Sequence, residues 1–440
     1  MQREKSRNND RKNMIWNAAA GMLNAAEAVF VMAIVSRTDG IETAGVFSLA
    51  FSLANLFMSI AKYGVKEFQV INGESHFSFG DYFYHRVIFT VVMIVVECGY
   101  ASLGLMRGSM SLRKAWIIVL VCLWYTLEAF EDVYLGKHQL EGNLYLGSQQ
   151  FILRWTAVLV VFCGGALLSM DTVAACGAAL AAGCVVSVVN IVSTNHLYGL
   201  SLKTGEHRKQ HKGEAGEQVP ASSTCVSRAH IAELTRQCFP LFISYFAYFY
   251  VNNLPKYMIN SYQTDEMQAI YGYLFMPVFA VPLVNSFLYQ PKLLETSNCY
   301  KSGDKAGFRR CVLRQYAIIA GLAACCAAGA WLLGIPVLSL LYHVDLTAYK
   351  SDLIMLLMGG ALLSAAGYTS VMVTVIGHQD KIIVCYALAI LAELCICPNL
   401  VKSLGVRGAA TGFAVTMLIL AAAMVAALML GLRNDNRKTV

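Results

Sequence analysis

Three groups of polar residues interrupt stretches of sequence that are otherwise apolar. The first closes the segment from Arg236 to Asn260, which carries Pro240 early, turns aromatic through Tyr245, Phe246, Tyr248, Phe249 and Tyr250, and reaches Asn252-Asn253-Leu254-Pro255-Lys256-Tyr257. An ammonium group in hydrocarbon costs roughly 2.5 to 3.5 kcal/mol at the centre of a membrane helix and less towards its ends. Two readings of Lys256 follow: a snorkelling interfacial lysine behind a proline that ends the helix, or a cavity cation that meets an anion. The second group is Glu128, Glu131 and Asp132, spaced i, i+3, i+4 and so on one helical face. Arg86 and Arg154 begin the neighbouring helices at a similar depth, which predicts ion pairing, either structural or as a gate that breaks and reforms. The third is Asn13, Asn17, Asn24 and Glu27, which fall within about 80° of arc on one helix. Such a stripe faces protein or water; it serves interhelical hydrogen bonding, or it offers Glu27 as a protonatable lining group. Glu97 and Glu393 are isolated acids in apolar runs, and the sequence assigns neither a role.

The elements that position these residues are membrane helices. Of 440 residues 57% are hydrophobic and only 14% charged, more apolar side chain than a soluble chain of this length can hide. At about 20 apolar residues per span, the pattern predicts an all-α membrane protein with about twelve transmembrane helices, over 13–35, 43–63, 82–105, 115–135, 151–169, 173–198, 238–260, 267–289, 312–342, 353–376, 382–401 and 408–430. The polar segment 199–234 is the one long interruption. It divides the chain into an N-terminal six-helix bundle (1–198), a cytoplasmic loop (199–234) and a C-terminal six-helix bundle (235–440).

With the N-terminus inside, most of the 34 lysines and arginines fall in inside loops, so both termini and the 199–234 loop are expected in the cytoplasm. Arg107, Arg113 and Lys114 fall outside in the same scheme. The first apolar run is too long for a signal-peptide core and lacks a small-residue cleavage site, so it is expected to remain. The halves open alike, with Thr38-Asp39 before Gly45-Val46-Phe47 in one and Thr264-Asp265 before Gly272-Tyr273-Leu274 in the other. Parallel repeats of this kind are a transporter architecture. The 14 cysteines sit mostly in apolar runs without metal-ligand spacing, so no metal site, disulfide or cofactor is expected. Short outside loops and the lack of a phosphate-binding glycine loop argue against an enzyme, and the net charge of +7 reads as a cytoplasmic basic surface without nucleic-acid binding.

Against this background the run Glu131-Asp132-Val133-Tyr134-Leu135-Gly136-Lys137-His138-Gln139-Leu140-Glu141-Gly142, followed by Arg154, resembles the fourth-to-fifth helix segment of bacterial polysaccharide flippases of the Wzx type. Asn252 to Tyr257 is similar to the seventh helix of that group, Tyr271 to Pro277 to its eighth, Asn17 with Arg37 to Phe47 to its opening hairpin, and Gly405 to Ala410 to its last. The sequence departs from the pattern after the tenth helix, where Ile376-Gly377-His378-Gln379-Asp380 stands in place of a basic residue. The resemblance covers nearly the whole chain and implies membership of the polysaccharide branch of the multidrug, oligosaccharidyl-lipid and polysaccharide exporter (MOP) superfamily. It implies two six-helix bundles in a V, a bacterial inner-membrane location, and movement of an undecaprenyl-diphosphate-linked oligosaccharide between leaflets.

Such a substrate needs cations for its diphosphate, amides and aromatics for its sugars, and lipid for its tail. Lys256 and Arg154 are the leading cation candidates, then Arg86 and Lys62. Asn17, Asn24, Asn252 and Asn253 are candidates for sugar hydroxyls, and Tyr248 and Tyr250 for stacking on rings. Glu27, Glu128, Glu131 and Asp132 are candidates for gating or ion coupling. The expected partners are the lipid-linked oligosaccharide, membrane lipids and a polysaccharide polymerase, and the expected state is a monomer. The alternatives are an ion-coupled multidrug antiporter, where Glu27 would meet a cationic drug, a peptidoglycan-precursor flippase, which would carry more helices, and a membrane polymerase, ligase or acyltransferase, which would present catalytic His or Arg in a sizeable outside loop.

Overall fold

The computed structural model describes residues 2–73, 77–200 and 228–438, so most of the 199–234 loop lies outside the described residues. Every described element is helical. In chain order they are α1 (Gln2–Thr38), α2 (Ile41–Lys62), α3 (Val65–Asn72), α4 (Phe79–Met106), α5 (Leu112–Leu140), α6 (Leu144–Leu167), α7 (Thr172–Tyr198), α8 (Arg228–Tyr262), α9 (Asp265–Phe275), α10 (Ala280–Tyr289), α11 (Leu293–Lys301), α12 (Lys305–Gly329), α13 (Ile335–Tyr342), α14 (Lys350–Val375), α15 (Asp380–Leu404) and α16 (Val406–Lys438). Among the described residues, 10 helical runs are long and apolar enough to cross a membrane. The other two expected spans are α5 and α8, which at 29 and 35 residues have the length but carry the charged groups of interest. The chain is an all-α membrane protein of about twelve spans.

Four expected spans have a different internal structure. The second ends at Tyr63 and Gly64, both left-handed, and the chain re-enters a helix at Val65, which brings Lys66 back beside Lys62. The eighth breaks at a 3-10 turn, Met276–Phe279, where Pro277 has no N–H to give an α-helical bond. The ninth passes through a π turn at Ala330–Gly334. The seventh begins at Arg228 and does not stop at Pro255; it runs through Pro240 and Pro255 to Tyr262. The reading in which Pro255 ends the helix behind an interfacial lysine is therefore corrected. A proline inside a helix removes one backbone bond and kinks the axis, and the buried flank of Val251, Leu254 and Ile259 holds both sides of it in place.

Internal contacts divide the chain into two compact units. Unit 1 comprises 1–24, 54–164 and 173–245. At one end its core is aromatic: Tyr63, Phe77, Phe79, Tyr82 and Tyr134 cluster with Val65, Val133, Leu234 and Cys238. Ser78 starts α4 with a capping box to Asp81, satisfying donors at a buried helix start. Further along, Trp124 meets Phe162 and Trp155 meets Tyr125, all edge-on. Unit 2 comprises 25–53, 165–172 and 246–440. In it α2 and α9 approach so closely that a Cβ on Gly45 would fall on the Asp265 carbonyl, and one on Gly272 on the Ser48 hydroxyl. The two glycines at matching places in the sequence halves are thus the points where these helices touch.

Candidate functional site

In unit 1 the charged residues of α5 meet those of α2, α3, α4 and α6. Arg86 is fully buried on α4; it donates to the Ala61 carbonyl at 2.6 Å and pairs with Asp132 at 2.8 Å. Asp132 also faces the Lys66 ammonium at 3.7 Å. Glu128 accepts from Lys62 at 2.8 Å and from the Trp155 indole N–H at 3.1 Å. Arg154, also fully buried, donates through Nε to Glu131 at 2.9 Å, while Asn190 approaches the other Glu131 oxygen at 3.4 Å. The i, i+3, i+4 face thus distributes its acids: Glu131 takes Arg154 and Asp132 takes Arg86. Burying these ions is offset only because each is paired and hydrogen-bonded; removing one member of such a pair costs about 3 to 5 kcal/mol.

These groups border an open cleft of about 210 Å³ whose lining includes Asn17, Asn24, Lys62, Lys66, Gln150 and Arg154. Each carboxylate on its wall has a cation within ion-pair distance. Arg154 keeps one nitrogen, Nη1, with neither a hydrogen bond nor an ion pair among the described residues. Its Nη1 and Nη2 make no hydrogen bond, although Nη2 lies 3.7 Å from Glu128, and its guanidinium lies about 5.3 Å and 5.5 Å from the rings of Trp155 and Phe151.

The polar stripe of α1 divides. Asn13 donates to the Gly142 carbonyl at 3.0 Å and accepts from the Tyr145 N–H at 2.8 Å, the interhelical bonding expected of it. Asn17 and Asn24 are exposed on the cleft, and Glu27 is buried and belongs to unit 2.

In unit 2 Lys256 is buried, with its ammonium 4.6 Å from the centre of the Phe275 ring. A desolvated contact of this kind contributes roughly 2 kcal/mol, and no carboxylate pairs with Lys256 among the described residues. Asn252 and Asn253 each turn one amide N–H back on the helix, donating to the Tyr248 and Phe249 carbonyls at 2.8 and 3.0 Å. The Asn252 oxygen is buried without a hydrogen bond. Tyr248 stands edge-on to Phe249, and Tyr250 stacks on Phe246 and leans on Tyr257, whose hydroxyl donates to the Ser52 carbonyl at 3.0 Å.

Sequence reasoning missed Lys66, Trp155, Gln150 and Asn190. The spacing of Lys62 and Lys66, four apart, was a usable signal, obscured by the break at Tyr63 and Gly64. It also missed a buried His138 that bonds Tyr198, Gln150 and Thr194 at 3.0 to 3.2 Å and ties α5, α6 and α7 together.

No protein-family model matches the sequence, and no curated protein matches it. Solved structures do match its fold. One described as the inward-facing conformation of a multidrug resistance MATE family transporter of the MOP superfamily aligns with a TM-score of 0.67 at 14% identity, over 94% of this chain and 96% of that one. A MATE structure in complex with MaL6 aligns at 0.62 and 14%, over 97% of each chain. A mutant MATE transporter of Vibrio cholerae aligns at 0.57 and 14%, over 97% of this chain and 95% of that one. The likeness is one of fold, end to end.

Proposed function

We propose, from the fold shared with these transporters, that the chain is a membrane transporter of the MOP type. Its cargo is an undecaprenyl-diphosphate-linked oligosaccharide, carried from the inner to the outer leaflet of a bacterial cytoplasmic membrane for surface polysaccharide synthesis. The observation that supports this cargo is the kind of hydrogen-bonding capacity left over in the cleft. Glu128, Glu131 and Asp132 are each held by a cation, whereas Nη1 of Arg154 makes neither a hydrogen bond nor an ion pair among the described residues. Uncommitted donors suit phosphate oxygens and sugar hydroxyls, and charge-assisted bonds are what a phosphate requires on leaving water. A cationic drug would require the reverse, a carboxylate without a partner on the cleft wall. Lys256, a buried cation faced by an aromatic ring, fits the same need in unit 2. The lipid tail can remain in the bilayer, and a polysaccharide polymerase would consume the product.

The second reading, a multidrug antiporter, rests on the multidrug resistance transporters whose fold the chain shares. One experiment separates the two. Lys256→Ala and Arg154→Ala should each lower surface polysaccharide and leave lipid-linked oligosaccharide in the inner leaflet, with Lys256→Arg partly tolerated and drug resistance unchanged. Normal polysaccharide in the double mutant at wild-type protein level would remove the case for these cations.

A further inference from the structure

Glu97 takes no part in the cleft. It lies on the face of α4 that carries Thr90, Met93 and Ala101, all buried, and it is itself fully buried. Neither carboxyl oxygen has a hydrogen-bond partner, and no cation pairs with it among the described residues. Across the seam the Thr126 hydroxyl of α5 donates to the Cys122 carbonyl at 3.1 Å and lies 3.8 Å from the Met93 sulfur. The titratable groups around Glu97 are Cys122 of α5 and Cys98 and Tyr100 of α4, the last packed edge-on to Phe57 of α2. None is a cation. The flanking Val95 and Val96 are exposed on the apolar outside of α4, whereas Glu97 points inward.

An ionised carboxylate without a partner cannot persist in such a place, so the enclosed side chain is the neutral acid. A neutral acid that bonds nothing adds nothing to the packing of α4 on α5. Leucine would fill a similar volume and bury apolar surface in its place. A residue that lowers stability with no structural return points to function.

We propose that Glu97 is a proton-binding site of unit 1, protonated while α4 and α5 enclose it and deprotonated when the transport cycle opens that seam to water. The inference rests on the transporter reading above and adds an ion to it.

The test uses the full-length protein in liposomes and dicyclohexylcarbodiimide, an apolar reagent for protonated carboxyls. The acid O–H adds across one C=N bond: the carboxyl oxygen bonds to the central carbon, the proton goes to nitrogen, and an oxygen-to-nitrogen acyl shift leaves a stable N-acylurea, with nothing oxidised or reduced. Mass spectrometry should find the adduct on Glu97, more of it at lower pH, and none in Glu97→Gln. Glu97→Leu should melt higher than the wild type. Transport in Glu97→Gln should fall roughly tenfold, equivalent to one decade in rate, and lose its dependence on pH. No adduct at any pH, a lower melting temperature or failed folding for Glu97→Leu, or wild-type transport in Glu97→Gln would each overturn the proposal. Labelling and melting do not involve the cargo, so these results stand apart from those of Lys256 and Arg154.

Discussion

Arg154 is where charge and aromatic packing meet, since its Nε serves Glu131 while the centres of the Phe151 and Trp155 rings lie 5.5 and 5.3 Å from its guanidinium. Reversing it to Glu would bury two like charges, with a loss on the order of the 3 to 5 kcal/mol that follows removal of one member of a buried pair. Glu131→Arg in the same chain should restore part of the stability and of the transport. Asp132→Arg should not, because Asp132 answers Arg86 on the other side of the cluster. Melting temperature and surface polysaccharide of the two double mutants check this, and equal rescue by both would mean that position on the helix face, not the specific pair, sets the coupling. The helical spacing of Glu128, Glu131 and Asp132 made the existence of this cluster readable in advance. The allocation of partners was not readable, because it depends on which rotamer each arginine adopts after the helices pack. Lys66 was hidden for a related reason: a two-residue break at Tyr63 and Gly64 turns an apparent loop lysine into a cleft residue.

Helix α8 shows why element ends were the weaker part of the reading. Proline ordinarily marks a boundary, and at Pro255 tertiary packing overrides it, so Lys256 becomes an interior cation. The number of spans was legible because apolar length is a sum over many residues, which a single breaker does not change. The paired glycines Gly45 and Gly272 were visible only as a weak similarity between halves, and their meaning is steric. In membranes small residues let helices approach closely without a hydrophobic drive. Gly45→Ala and Gly272→Ala should each destabilise unit 2 by about 1 to 3 kcal/mol, the usual cost of overpacking. Gly177→Ala, where a Cβ would meet nothing within 4 Å, should be close to neutral. Thermal denaturation in detergent compares the three; because alanine is the better helix former, propensity alone would raise stability at every site, so gains at Gly45 and Gly272 equal to that at Gly177 would mean that close approach is not at stake.

For the molecule as a whole, the expected orientation in the membrane rests on the distribution of lysine and arginine. Alkaline phosphatase fused after Gly303, in the turn between α11 and α12, should be inactive, and fused after Asp345, between α13 and α14, active. The opposite pattern would invert the chain and place the unit 1 cleft at the other surface. The balance of charge around that cleft has a bearing on the membrane's own integrity. A pore lined with bare cations would attract chloride and inorganic phosphate and drain the gradients of the cell. Here Lys62 and Arg154 are held by carboxylates at 2.8 and 2.9 Å and Lys66 lies 3.3 Å from Glu67 and 3.7 Å from Asp132, so a small free anion would have to displace a competitor that never diffuses away. If the cleft carries the proposed cargo, only a ligand that brings several oxygens at once would engage Nη1 of Arg154 and compete for the rest, and the cleft could stand open between cargoes without becoming a leak.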